Sequence, residues 1–314
     1  MNIPTLNSAD EVIAALNERG ACWGRVPSTE AYHAWKPLIE QELGAAVVSK
    51  SALHEFAVSP YRFKWGKRKE SDGMRFGQLV DGLALTPEGF ASEFYVLSEK
   101  IDRRTKAGKE AWAAVEAEAA GRTLVQPEEY AQAERCAILA EAALDEYGLR
   151  MGENATAQVA MFVFMAEIFG EALPCPLVVT GCLDILPHEG ETLWDLKTTR
   201  EDVESEGRLS RVCEDFAYGV QAALYRDLFY VCTGERREVF RFLFVSTMTK
   251  DDEQPAVQCR VVSMENGTLL HYAQYYTRLL REYAAAYDSG EWGSEHLPEV
   301  VFVPSKWELE KIYR

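Results

Sequence analysis

The stretch from Val178 to Thr199, VVTGCLDILPHEGETLWDLKTT, constrains the fold more than any other part of the chain. Val178, Val179, Leu183, Ile185 and Leu186 form one apolar run, and Thr192, Leu193, Trp194 and Leu196 form a second. The polar His188-Glu189-Gly190-Glu191 between them suits a tight connection between antiparallel strands. A turn centred on Glu189-Gly190 sets Asp184 opposite Asp195. Directly opposed side chains share a face, with Cβ atoms roughly 5 Å apart. Lys197 lies two residues beyond Asp195 and points to the same side.

Two carboxylates that close repel each other unless positive charge sits between them. A divalent cation fits: Mg²⁺ takes oxygen ligands, keeps several waters, and is commonly held by one or two carboxylates plus substrate phosphate. Such an ion polarises a phosphodiester and activates water, while a neighbouring lysine holds that water or neutralises developing charge. The plain alternative is a surface hairpin with two hydrated aspartates. Against it, the carboxylates interrupt strongly apolar strands.

The chain has 314 residues, 47% of them hydrophobic, enough for one large α/β domain or two small ones. There is no apolar run long enough to span a membrane and no signal-like N-terminus, so a soluble, cytoplasmic protein is expected. Its seven cysteines form no CxxC pair, which disfavours a zinc site or an iron–sulfur cluster. A net charge of −17 argues against a protein that coats nucleic acid. It leaves a nuclease open, because only a local basic strip has to meet phosphates.

Residues 1–48 read as a helical N-terminal extension, and 49–314 as the main domain. Ser8-Ala9-Asp10-Glu11 is a capping-box pattern before Val12, Ile13 and Leu16. A second helix is expected from Ser28 or Thr29 to Leu43, stopping at Gly44, with Pro37 inside it. Ser51 is the expected cap of the next helix. Arg62, Lys64, Lys67 and Arg68 alternate with aromatics, a mixture suited to phosphate contact and base stacking or, equally, to a solvated helix end. Met74 to Leu85 reads as a buried helix whose Asp81 needs a partner: a metal, a backbone amide, or an arginine such as Arg75. Arg103, Arg104 and Lys106 form a second basic segment. Gln158 to Phe169 is a strand candidate, with Glu167 either a third carboxylate of the site or a strand end. Phe216 to Tyr230 is an amphipathic helix that puts Gln221 and Tyr225 one turn apart. They can position substrate or the lysine, or be a polar pair at a helix edge. Glu238–Thr247 and Ala256–Ser263 read as strands, and the Pro298–Trp307 tail as folding back onto the domain.

In this order the segments resemble the PD-(D/E)XK nuclease superfamily and, within it, RecE-type (exodeoxyribonuclease VIII-like) exonucleases. The resemblance rests on SKSALHEFAVSPYRF, MRFGQLVDGLAL followed by TPEGF, DRRTKAGKEAW, GCLDILPHEGETLWDLKTT and the VQAALY helix. It implies an α/β fold with a mixed central β-sheet flanked by helices, the restriction-endonuclease-like core, behind the helical extension. It also implies Mg²⁺-dependent digestion, with Mn²⁺ as a substitute, of double-stranded DNA ends from 5′ to 3′. The product is a 3′ strand for an annealing or recombinase protein, and the enzyme a homo-oligomeric ring. Asp184 and Asp195 fall on the metal-binding carboxylates, Lys197 on the catalytic lysine, and Gln221 and Tyr225 on a glutamine-tyrosine helix motif. The Leu196 carbonyl is a further metal contact, and Glu167 matches an upstream acid loosely. Arg62, Lys64, Lys67, Arg68, Arg75, Arg103, Arg104 and Lys106 are the DNA-contact candidates. One departure stands out: Asp81 occupies the place of a histidine metal ligand, which adds negative charge and favours hard Mg²⁺. Two other readings remain, a nuclease-fold protein that binds DNA or a partner without cutting, and a structure-specific endonuclease.

Overall fold

The computed structural model describes residues 1–67, 71–168, 170–247 and 257–294. Helix α1 (Ala9–Arg19) begins where the Ser8 hydroxyl accepts the Glu11 N–H, and ends at left-handed Gly20. Strand β1 (Ala21–Arg25), helix α2 (Thr29–Leu43) and strand β2 (Ala46–Ser49) follow. Both expected helices of the first 48 residues are therefore present, and two strands accompany them. At five and four residues, these strands are too short to announce themselves by alternation, and their pairing partners lie far along the chain.

Next come α3 (Lys50–Val58), α4 (Pro60–Trp65), α5 (Asp72–Leu85), α6 (Phe90–Glu93), β3 (Phe94–Val96), α7 (Lys106–Ala119), β4 (Thr123–Val125) and α8 (Pro127–Glu146). Ser49, not Ser51, caps α3: its hydroxyl accepts the Ala52 N–H, and the helix begins at Lys50. The second half holds β5 (Ala155–Ile168), β6 (Glu171–Pro187), β7 (Thr192–Thr199), α9 (Glu206–Asp215), α10 (Tyr218–Thr233), β8 (Val239–Ser246), β9 (Gln258–Met264) and α11 (Asn266–Ser289). Arg68 and the Pro298–Trp307 tail lie outside the described residues.

Among the described residues the central sheet is mixed and seven-stranded. It runs β1-β5-β6-β7-β8-β9, with β2 attached to β6. Antiparallel β5 occupies one edge of β6 along most of its length. The opposite edge of β6 takes β2 in parallel at Leu177–Thr180, then β7 antiparallel at Ile185. β7 and β8 are parallel, so the chain must cross over between them, and α9 and α10 make that crossover.

Three apolar clusters hold these layers. Phe240, Phe242 and Phe244 pack with α3, α10 and α11 on one side of the sheet. Trp194, Leu196, Leu243 and Val245 pack with α5 and α8 on the other. Val12, Leu16, Trp35 and Ile39 of α1 and α2 cover Ala160, Phe162 and Val178.

Candidate active site

The site forms where two strands stop pairing. β7 keeps an unbroken ladder with β8, from Thr192 against Val239 to Thr199 against Ser246. With β6 it shares a single pair, Ile185 with Trp194. That pair is the register demanded by a turn at Glu189-Gly190, where Gly190 has φ 95°, and it sets Asp184 across from Asp195. Beyond it the strands part. The Leu196 N–H, which a continuing ladder would have used, donates to Asp184 Oδ2 at 3.1 Å.

The other edge of β6 is irregular at the same level. Ala157 pairs with Ile185 and Val159 with Leu183, but Gln158, between them, has φ 54°. Left-handed backbone is uncommon for a residue with a side chain. Residues two apart in a strand normally share a face. Here Leu183 joins the α10 side of the core and Ile185 the α5 side, and Val159 and Ala157 divide in the same way. The bend therefore lies next to Asp184, in keeping with strain gathering at functional positions.

Charge is concentrated at the fork. Asp195 is 1% exposed, whereas the side chains of Asp184 and Lys197 are 23% and 21% exposed. The Lys197 ammonium contacts Asp195 Oδ1 and stands 3.7 Å from Asp184 Oδ2. The Gln221 amide, reaching in from α10, donates to Asp195 Oδ2. Burial, then the Asp184 charge, pushes the Asp195 carboxyl above its ordinary range, against the pull of Lys197. Burial acts to lower Lys197, but Asp195 and Asp184 outweigh it and hold the ammonium well above its usual value.

Asp81 joins this group from α5. Gly77, one turn earlier, lets that helix approach β7: a Cβ there would stand 3.4 Å from the Thr198 hydroxyl. Burial and the charges of Asp184 and Asp195 raise the Asp81 carboxyl well above its ordinary value. Tyr225 enters from α10 over Gly181, where any Cβ would come 2.5 Å from its ring. Asp184, Asp195, Leu196, Lys197 and Gln221 thus meet through direct contacts, with Asp81 and Tyr225 close enough to feel the charges of that group.

Other candidates lie elsewhere. Glu167 is exposed at the far end of the β5–β6 pair, opposite Ala172, well away from the fork. Arg75 is not the partner of Asp81. Six residues separate them on the helix, which turns them to different faces. Arg75 instead pairs with Glu129 at 2.6 Å and donates to the Leu124 carbonyl. Arg104 is tied to Asp102 at 2.8 Å, Arg103 covers the Trp112 ring, and Lys106 stands 3.9 Å from Glu110. Arg62, Lys64 and Lys67 are exposed, with Lys64 above the Trp292 ring.

Two residues at the site went unnoticed in the sequence. Lys50 is buried, donates to the Phe216 carbonyl, and lies 5.0 Å from the centre of the Tyr218 ring. Lys197 lies 5.5 Å from the same ring. Burial, then the Lys197 charge, lowers the Lys50 amine to about 8. Lys50 comes close only because β2 pairs with β6, a long-range contact that no local pattern signals.

The profile of a family described as "PDDEXK-like domain of unknown function (DUF3799)" matches residues 49–279. The chain belongs to this family. Among solved structures, a "putative exonuclease" from Eubacterium rectale is similar at 17% identity, with a TM-score of 0.50, covering 84% of this chain and 87% of that one. A "phage related exonuclease" from Haemophilus somnus 129PT has 13% identity, with a TM-score of 0.34, over 79% of this chain and 98% of that one. The search of curated proteins found no match. The first likeness agrees with a PDDEXK-like fold, a mixed sheet flanked by helices. Among the described residues no helix is long and apolar enough to cross a membrane.

PDDEXK nucleases generally depend on a divalent metal. Among the described residues no group of three or more His, Cys, Asp or Glu is placed so that it could hold a metal ion. The donors nevertheless fit a hard cation. All are oxygens, from carboxylates and the Leu196 carbonyl, and Asp81 and Asp195 are raised by burial and by neighbouring negative charge.

Proposed function

We propose that this chain is a metal-dependent exodeoxyribonuclease. In this reading it digests linear double-stranded DNA from its ends, 5′ to 3′, and leaves a 3′ strand for an annealing or recombinase protein. The observation that carries the proposal is the Lys197 ammonium between Asp184 and Asp195, at the opening between two strands. Asp184, Asp195 and Asp81 would hold the cation, Mg²⁺ by their hardness and Mn²⁺ as a substitute. When bound, it supplies charge stabilisation to the attacked phosphate and acidifies water. Gln221 fixes the orientation of the Asp195 carboxylate. Lys197 stays protonated at neutral pH, so its role is to orient the attacking water and offset charge on the phosphate, not to abstract a proton. The name given to the Eubacterium rectale structure supports attack from ends. The resemblance to RecE-type enzymes supports the polarity and a homo-oligomeric ring.

The test is digestion of 5′-labelled and 3′-labelled linear duplex beside a covalently closed circle of the same sequence, in Mg²⁺ and in Mn²⁺. The expected result is early release of the 5′ label, persistence of the 3′ strand, and an intact circle. Cutting of the circle favours an endonuclease. Folded protein that binds DNA and cuts neither substrate in either metal leaves a nuclease fold without nuclease activity.

A further inference from the structure

Beside the fork lies an aromatic ladder that ends in solvent. Phe216 is 54% exposed, although it follows α9 directly and adjoins a buried core. Its ring stacks on Tyr218 at 5.8 Å and 19°, and Tyr218 stacks on Phe242 at 5.2 Å and 28°. The outermost ring of this stack therefore has partners below and solvent above. Tyr218 is also the ring beside which Lys50 and Lys197 both place their ammonium groups.

The backbone under Phe216 is held in an unfavourable shape. Ala217 has φ 50°, the left-handed region, at the N-cap of α10. For a residue with a Cβ that conformation costs free energy and persists only where surrounding contacts impose it. The Lys50 ammonium holds the adjoining peptide, donating to the Phe216 carbonyl from inside the protein. An exposed ring, stacked from below on a tyrosine that two ammonium groups flank, matches what a strand of nucleic acid offers. A base has a flat face for the ring, and its phosphates have charge for the ammonium groups.

We propose that Phe216 is a stacking platform for an unpaired base of the DNA strand whose backbone lies at Asp184, Asp195 and Lys197. The proposal rests on the nuclease reading and adds that the site takes a frayed, single-stranded end. Sequence tolerance follows, because every base presents a π-face.

The experiment measures binding without cutting. Fluorescence anisotropy in EDTA compares wild type, Phe216→Ala and Phe216→Trp on a short duplex with an unpaired terminal segment. A parallel series carries one abasic position at each step of that segment. Phe216→Ala is expected to weaken binding on the order of tenfold, and Phe216→Trp to retain it. At one position the abasic strand should bind wild type and Phe216→Ala equally. Tyr230→Ala, at an exposed aromatic near the other end of α10, serves as a control and should bind like wild type. Equal binding by Phe216→Ala and wild type on the intact strand overturns the platform. So does a loss that no abasic position removes. If wild type digests linear DNA and either result appears, the platform fails and the nuclease reading stands. If wild type neither binds nor digests DNA, both fail.

Discussion

The two edges of β7 carry opposite designs. Toward β8 every residue from Thr192 to Thr199 is paired, and the side chains along that edge, Leu196 with Leu243 among them, close a core. Toward β6 pairing stops after Ile185 and Trp194, and the freed Leu196 N–H is taken by a carboxylate. One edge is satisfied by main chain alone. The other leaves a gap that charged side chains fill. A single strand thus separates stability from chemistry, and substitutions on its two sides should report different quantities.

The largest effect is expected on the open edge. Asp195→Asn keeps the shape of the side chain but removes its charge, and should lower DNA digestion on the order of a thousandfold, equivalent to about 4 kcal/mol of activation free energy. Timed digestion of labelled linear duplex checks this, with circular dichroism confirming the fold. On the closed edge, Leu243→Ala should cost about 2–5 kcal/mol of stability through the cavity it leaves. Its activity per folded molecule should match wild type, and urea unfolding beside the same digestion assay reads both. If Leu243→Ala abolishes activity in fully folded protein, the separation of the two edges is wrong.

A smaller effect concerns Asp81. Burial and two neighbouring aspartates raise its carboxyl, so the folded protein holds protons more tightly there than the unfolded chain does. Without metal, stability should therefore fall as pH rises from the ordinary carboxylate range toward the raised folded value. Asp81→Asn removes that dependence along with one like charge. In EDTA at neutral pH its melting temperature should rise by about 2 °C, and the slope against pH should flatten. A melting temperature that falls instead would mean Asp81 is paired favourably and adds no repulsion to the fork. Smallest of all, Glu167→Gln should leave digestion within about twofold and stability within about 0.5 kcal/mol, as for a surface residue remote from the site. A large loss of activity would bring the distant end of the β5–β6 pair into the chemistry.

Much of this was legible in the sequence because it is local. Asp184, Asp195 and Lys197 fall in one turn-linked pair of strands, where the turn sets the register. Gln221 and Tyr225 lie one turn apart on one helix. A glycine also gave a reliable signal: Gly44 ends the second helix. What escaped is non-local. β1 and β2 are recognisable only through β5 and β6, more than a hundred residues away, and Lys50 reaches the fork through β2. The backbone bend at Gln158 sits inside an ordinary-looking apolar strand. Arg75 drew attention as the nearest cation to Asp81 in sequence, but helix rotation carries it to Glu129 instead.

The most direct measurement is calorimetric titration of Mn²⁺ into the protein at pH 8, wild type beside Asp184→Asn and Asp195→Asn. If the open edge of β7 is a cation site, wild type should give a saturable binding isotherm that either substitution removes. An Asp195→Asn protein that binds Mn²⁺ as wild type does, with the same affinity and stoichiometry, would contradict it.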